Sequence, residues 1–121
     1  MSRCIFCDIK DNPDNIVVQN ELAFAIYDKH PVSKGHILVI PKRHFDSFFE
    51  ATEEEIVSLY QLINECKKII DEQFKPSGYN VGVNVGYDAG QTVFHLHIHL
   101  IPRYKGDTTH PIGSGIRHIK D

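Results

Sequence analysis

The chain has 121 residues, a formal net charge of −3 and 24% charged residues. This length suits one domain, so we expect residues 1–121 to form a single domain, with a loosely structured tail over about 105–121. No basic excess is present to hold a nucleic-acid backbone, and we expect no nucleic-acid partner. Histidine is the unusual residue type, with eight copies against one methionine and no tryptophan.

The cysteines and the hydropathy predict a cytoplasmic protein. Cys4, Cys7 and Cys66 are an odd number and give no complete disulfide framework. No apolar stretch approaches the roughly 18 residues that a membrane span needs, and no apolar signal segment follows Met1. We therefore expect a reducing compartment and no membrane partner.

The first third of the chain predicts three strands. Residues 4–9 are short and mixed, and Asn12 to Asn15 read as a turn. Strands are predicted over residues 16–19, 22–27 and 36–41, the first two joined by a tight turn at residues 20–21. The third strand is almost continuously apolar, which favours a central place in the sheet, and we interpret His36 at its start as structural.

One long helix is predicted after the third strand. Thr52 and Glu55 match a capping box, and apolar residues from Ile56 to Ile70 recur at spacings of three and four. The helix is expected to end at residues 76–78. Cys66 lies on the apolar stripe, and we interpret it as a core residue.

Two more strands are predicted over residues 79–86 and 93–101. Each alternates between an apolar and a polar series. The fold class is therefore α+β, with a five-stranded, mainly antiparallel sheet and one long helix packed on its apolar face. We expect the helix to cover the apolar face of the last two strands. The opposite face would carry Asn84, His95, His97 and His99.

Three imidazoles at alternate strand positions stand in one row, about 6.5–7 Å apart. They could bind one catalytic metal and leave a position open for water. Alternatively, one neutral imidazole could attack an electrophilic centre and form a covalent intermediate. Residues 86–92 favour the second interpretation, because they supply glycines and polar donors that suit an anion. No carboxylate lies close in sequence to act as the base for a metal-bound water.

Residues 95–101 match the His-φ-His-φ-His-φ-φ signature, and the chain resembles the histidine triad (HIT) superfamily over nearly its whole length. Residues 101–103 and 106–107 look like the hydrolase branches, which include fragile-histidine-triad proteins and dinucleoside polyphosphate hydrolases. The other blocks that resemble HIT sequences, in the same order along the chain, are residues 4–7, 25–28, 35–44, 84–86 and 90–93.

The resemblance implies a nucleotide hydrolase. It would cleave a dinucleoside polyphosphate or a nucleoside phosphoramidate at the α-phosphate, through a covalent nucleotidyl-histidine intermediate. His97 would be the nucleophile and His99 would contact the α-phosphate. One alternative is a nucleotidyltransferase or phosphorylase that uses the same histidine. Another is a purine-nucleotide-binding module without catalysis.

The resemblance also implies a set of residues that bind a purine nucleotide. From the residues alone, Asp28 reads as a turn residue, whereas the resemblance implies that it accepts hydrogen bonds from the ribose hydroxyls. The base pocket would be lined by Ile5, Phe6 and Ile26. Phosphate oxygens or the leaving group would be bound by Asn84, Gly90, Gln91, Thr92 and His99.

A metal site is predicted at the N-terminus. Cys4-x-x-Cys7 alone is a weak signal, but two thiolates and two imidazoles suit tetrahedral Zn²⁺. The resemblance to prokaryotic HIT proteins implies that His44 and His95 complete the ligand set. Such a closed site would be structural and would fix the N-terminal segment to the sheet. The resemblance further implies a homodimer.

Overall fold

A five-stranded antiparallel sheet positions the histidines in the computed structural model, which describes residues 4–11 and 13–108. The strands lie in the order β1-β2-β3-β5-β4, and every neighbouring pair is antiparallel. The fold class is therefore the predicted one. The strands, in chain order, are β1 (Val18–Gln19), β2 (Ala23–Tyr27), β3 (Ile37–Pro41), β4 (Gly78–Gly82) and β5 (Ile98–Arg103). Residues 109–121 of the predicted tail, like Asn12 of the predicted turn, lie outside the described residues.

The long helix, α2, spans Glu53–Phe74 and begins as predicted. The Thr52 hydroxyl accepts from the Glu55 N–H at 3.1 Å, and the Glu55 carboxylate accepts from the Thr52 N–H at 2.9 Å. The helix ends at Lys75, which has a left-handed φ of 52°. Within the described part of the chain, no helix has both the length and the apolar character needed to cross a membrane.

The two faces of the sheet carry separate clusters of buried side chains, because side chains alternate along each strand. The helix was expected over the last two strands, but it lies mainly against β1, β2 and β3. Cys66 is in its core contact, as predicted. The helix-side cluster includes Ala23, Ala25, Ile37, Val39, Leu59, Leu62, Cys66, Ile70, Leu96, Ile98 and Leu100. The cluster on the other face is Phe6, Phe24, Ile26, Leu38 and Ile40.

A short N-terminal helix, α1, covers that second face over Ile5–Lys10. This helix was not predicted, because six residues are too few to show an apolar period. The helix is capped by Cys4, whose sulfur accepts from the Cys7 N–H at 3.4 Å. A 3₁₀ turn at Pro13–Asn15 follows and occupies most of the predicted turn.

The last two strands were predicted too long. β4 ends at Gly82, and β5 begins only at Ile98, so His95 and His97 precede the strand instead of lying on it. The backbone N–H of Leu96 donates to the carbonyl of Phe45 at 2.7 Å. Phe45 lies beyond the end of β3. The histidine segment therefore leaves the ladder to follow the chain that comes after β3.

Candidate active site

The side chains of the three triad histidines are buried, although a sheet face without a covering layer would have exposed them. His95, His97 and His99 are 0%, 3% and 0% exposed. The Phe6 ring from α1 contacts two of them, with centroid distances of 5.9 Å to His95 and 5.0 Å to His97. The N-terminal helix thus covers His95 and His97.

His97 is held in one tautomer. Its Nδ1 lies 2.9 Å from the carbonyl oxygen of His95. A carbonyl only accepts hydrogen bonds, so Nδ1 carries the proton and Nε2 carries the lone pair of the neutral ring. A lone pair fixed at Nε2 is what a nucleophilic or basic imidazole requires.

His99 is held in the complementary tautomer by a chain of hydrogen bonds. The Val32 N–H donates to Nδ1 of His36 at 3.1 Å, so the proton of neutral His36 is on Nε2. That Nε2 lies 3.0 Å from Nδ1 of His99 and donates to it. Neutral His99 therefore carries its proton on Nε2 and is a donor there. The rings of His97 and His99 are 5.2 Å apart between centroids.

His36 is the residue that the sequence interpretation undervalued. It was expected to be structural, but it contacts both His99 and Asp28, whose Oδ2 lies 3.5 Å from Nε2. Burial lowers the pKa of His36 to about 4, His99 acts in the same direction, and Asp28 opposes them. His36 is thus neutral near pH 7, as its hydrogen bonds require.

A cavity of about 690 Å³ opens beside His97 and is mostly lined by apolar side chains. Such a cavity suits the flat apolar body of a nucleobase. Six predicted site residues line it: Ile5, Phe6, Ile26, Asp28, Thr92 and His97. Lining residues that the sequence analysis did not name include Asp8, Ile9, Ile16, Leu38 and Val93.

Asp28 lies both in the expected turn and on the wall of the cavity. Its Oδ1 accepts from the backbone N–H of His30 at 2.9 Å, which is the expected turn. The residue also lies on the cavity wall, so its carboxylate is within the same site as His97. The ribose contact stays a prediction.

The loop between β4 and β5 is braced by Gln91, which is 1% exposed. Its amide donates to the carbonyls of Asp46 at 3.0 Å and Val93 at 3.1 Å, and its oxygen accepts from the Gly86 N–H at 2.8 Å. The predicted phosphate contact of this side chain stays untested, and its present partners are all backbone groups. Two other predicted site residues, Asn84 and Gly90, lie next to each other. A Cβ placed on Gly90 would be 3.7 Å from the amide nitrogen of Asn84.

The four predicted metal ligands come together. Their ligand atoms all lie within 4.8 Å of one another in the cluster of Cys4, Cys7, His44 and His95. Nδ1 of His95 is 3.2 Å from Sγ of Cys4 and 3.6 Å from Sγ of Cys7, and Nδ1 of His44 is 3.3 Å from Sγ of Cys7. A tetrahedral zinc with ordinary bond lengths separates its ligand atoms by about 3.3–3.8 Å. The spacing therefore fits that ion.

His95 presents its lone pair to the cluster. Its Nε2 lies 2.8 Å from the Pro41 carbonyl oxygen and donates to it, which leaves Nδ1 unprotonated in the neutral ring. Burial lowers the pKa of His95 to about 4, so the neutral form prevails near pH 7. A backbone carbonyl on the far ring nitrogen is the usual arrangement behind a metal-binding histidine.

The fold and the arrangement of the histidines agree with a comparison against protein families. The family model described as "HIT domain" matches residues 10–106. The chain belongs to the HIT domain family.

Relatives with and without a named activity match most of the chain. "Protein hit" from Bacillus subtilis is 43% identical over 107 residues, which are 86% of this chain and 74% of the relative. "Bis(5'-adenosyl)-triphosphatase" from Dictyostelium discoideum is 39% identical over 92 residues, which are 76% of this chain and 62% of the relative. The family thus includes dinucleoside polyphosphate hydrolases.

Solved structures share the fold. A HIT family protein from Bacillus anthracis superposes with a TM-score of 0.81 at 41% identity, over 88% of this chain and 77% of the other. A protein described as a Zn-bound histidine triad family protein from Mycobacterium smegmatis has a TM-score of 0.76 at 28% identity, over 98% and 82% of the two chains.

Proposed function

We propose that the protein hydrolyses a dinucleoside polyphosphate or a nucleoside phosphoramidate at the α-phosphate, through a covalent nucleotidyl intermediate on His97. The observation that carries the proposal is the pair of opposite tautomers beside the apolar cavity. One ring offers a lone pair at Nε2, and the neighbouring ring offers an N–H at Nε2. A displacement at phosphorus needs both an electron pair and a donor.

The reaction proceeds in two balanced displacements. In the first, Nε2 of His97 forms a bond to the α-phosphorus while the bond from phosphorus to the leaving group breaks. The leaving group departs with the electron pair of that bond, and the Nε2–H of His99 stabilises its developing charge by a hydrogen bond. In the second, water attacks the same phosphorus, and the N–P bond breaks with its electron pair returning to Nε2 of His97. The attacking water keeps one proton in the nucleoside monophosphate and releases the other to solvent, which supplies the proton that the leaving group takes up.

The cavity would position the base, the ribose and the α-phosphate of the substrate relative to His97. The base lies among Ile5, Phe6 and Ile26, and the ribose hydroxyls donate to the Asp28 carboxylate. Thr92 lies on the cavity wall together with His97, where it is suited to a phosphate oxygen. Because His97 is fixed by a backbone carbonyl, little reorganisation is needed before attack.

Replacement of His97 tests the mechanism. We expect His97→Ala to lower turnover of an adenosine phosphoramidate or a diadenosine polyphosphate by at least about a thousandfold, because the intermediate cannot form. AMP binding, measured by calorimetry, should survive in the variant and shows that the cavity is intact. Turnover within about tenfold of the wild type would rule out His97 as the nucleophile.

Product analysis separates hydrolysis from transfer. The wild-type protein is incubated with an adenosine phosphoramidate in water enriched in oxygen-18, with inorganic phosphate added. Hydrolysis predicts a labelled nucleoside monophosphate as the product. A nucleoside diphosphate formed from the added phosphate would instead identify a phosphorylase.

We further propose that Cys4, Cys7, His44 and His95 hold a structural Zn²⁺. The spacing of the four ligand atoms and the aimed lone pair of His95 support this. The ion would supply charge neutralisation and a crosslink between the N-terminal segment and the sheet. With all four positions taken by protein, His95 would have no acid–base role, and the phosphorus chemistry would fall to His97 and His99.

Metal analysis tests the zinc site. Protein purified without chelator is expected to contain about one zinc per chain, and Cys4→Ser to contain much less, because a closed site depends on every ligand. Cys66→Ser is the matched control, since its thiol lies in the core between α2 and the sheet. Equal zinc content in the wild type and Cys4→Ser would exclude this ligand set.

A further inference from the structure

The short helix α1 belongs to both sites. Its six residues are too few for a helix to be stable without tertiary support. One side of its sequence faces the cavity, which Ile5, Phe6 and Ile9 help to line. Phe6 is the one buried residue of this helix, so little apolar surface holds the helix against the sheet.

The metal cluster lies at the N-terminal end of this helix. Cys4 is its cap, and Cys7 is one turn further along. At the other end the Lys10 ammonium donates to the Lys42 carbonyl at 3.2 Å, a single half-buried hydrogen bond. A metal ion bound to Cys4, Cys7, His44 and His95 would add a second attachment, which joins α1 to the chain after β3 and to the triad segment.

Phe6 connects the cluster to the reacting group. Its ring makes edge contacts with both His95 and His97. The two histidines are also joined through the backbone, since Nδ1 of His97 donates to the carbonyl of His95. A shift of α1 would alter the base-binding wall of the cavity and the environment of His97 together.

We propose that metal binding at the four-residue cluster and nucleotide binding in the cavity are thermodynamically linked through α1. The metal orders α1 in the position that the nucleotide requires, so the nucleotide does not have to supply that ordering free energy when it binds. By reciprocity, bound nucleotide must tighten metal binding by the same factor. The linkage rests on the proposed function, because it assumes that the cavity binds a nucleotide.

A four-sided binding cycle tests the linkage. AMP affinity is measured by calorimetry on zinc-loaded protein and on protein stripped by chelator. Zinc affinity is measured by competition with a chromophoric chelator, with and without saturating AMP. We expect AMP to bind at least about fivefold more tightly to the loaded protein, and zinc to gain the same factor from AMP.

Variants assign the linkage to α1. Cys7→Ser should bind AMP like stripped wild-type protein, with no response to zinc, whereas Cys66→Ala should keep the full coupling factor. Phe6→Ala should bring the coupling factor toward one, whatever its effect on AMP affinity itself. Retention of full coupling in Phe6→Ala would overturn the route through α1.

The remaining outcomes are equally decisive. An AMP affinity that rises less than about fivefold on zinc loading would overturn the linkage and leave the proposed function intact. AMP binding to neither form would contradict the proposed function itself. Global unfolding of the stripped protein, seen by circular dichroism, would also overturn the proposal, because a linkage through α1 requires a folded sheet without metal.

Discussion

At the scale of single residues, hydrogen positions distinguish two clusters that distances alone would treat alike. Asp28, His36 and His99 also lie close enough to hold a metal ion. However, the Val32 N–H occupies Nδ1 of His36, so the proton of that ring points into the cluster. In the cysteine-containing cluster, the Pro41 carbonyl takes the proton of His95 and the lone pair points inward. The first arrangement is that of a hydrogen-bond relay, and the second that of a metal site.

Neutral, buried His36 predicts a pH dependence of stability. Its pKa is about 4 in the folded protein and about 6.5 in an unfolded chain, so the unfolded state binds the proton more readily. The contribution of neutral His36 to the free energy of unfolding is therefore complete above about pH 6.5 and is lost as the pH falls toward 4. Between about pH 7.5 and pH 5 this group should lower the free energy of unfolding by about 2 kcal/mol.

Chemical denaturation of His36→Asn at the two pH values measures that contribution. The variant should lose less free energy of unfolding on acidification than the wild type, by about 2 kcal/mol. His30→Asn is the matched control, because His30 is exposed in the loop that follows β2, and it should follow the wild type. Identical losses in the wild type and His36→Asn would contradict the assignment.

Single residues of the site were predictable where one short segment carries the signal. The spacing of His97 and His99 is visible in the sequence, and so is the Cys4-x-x-Cys7 pair. The contact of His36 with His99 was not, because it depends on the register of β3 against β5, which pairs Leu38 with His99. His36, two residues before Leu38, then lies on the same face of the sheet.

At the scale of elements, the loop after β4 depends on one side chain. Gln91→Glu keeps an oxygen for the Gly86 N–H but places a carboxylate against the carbonyls of Asp46 and Val93. We expect a loss of about 2 kcal/mol or more in the free energy of unfolding, measured by denaturation near pH 7.5. Gln19→Glu, on exposed β1, makes the same chemical change and should be near neutral. A similar loss of unfolding free energy in Gln91→Glu and Gln19→Glu would show that the hydrogen bonds of Gln91 do not stabilise the loop.

Helices and strands were predicted best where a sequence pattern runs over many residues, and worst at the residues where an element begins or ends. The capping box and the apolar stripe predicted the position of α2 because together they extend over about five turns, from Thr52 to Ile70. Alternation continued in the sequence beyond β4 and before β5, although the chain had already left the ladder there. Alternation reports which side chains could share a face, and it does not report where a hydrogen-bonding partner strand ends.

At the scale of the whole molecule, composition and element order predicted the α+β fold but could not order the strands. β5 lies between β3 and β4, so the last strand is an interior strand and the fourth is an edge. That order depends on contacts between segments far apart in the chain. It pairs His99 with Leu38 of β3, and among the described residues it gives β4 a single neighbouring strand.

The expected homodimer stays a prediction, and β4, the edge strand next to β5, is where we test it. Val81 on β4 is 48% exposed, and Tyr60 on α2 is 67% exposed. Exposed apolar side chains and edge strands are both common sites of association. Light scattering should give the mass of two chains, and Val81→Lys should shift it toward one. Phe49→Lys is the matched control, because Phe49 is 82% exposed but lies outside both elements. A monomeric wild-type protein would contradict the prediction.

The boundary of the last strand also limits how this chain can change in length. His99 is fixed in the ladder between Leu38 and Gly82, whereas His97 is fixed outside it by the carbonyl of His95. One residue inserted between His97 and His99 would turn one of the two rings toward α2, and one residue deleted would do the same. Insertions and deletions that preserve the arrangement of His97 and His99 are therefore expected in segments outside the ladder, such as residues 104–108, and not between these two histidines.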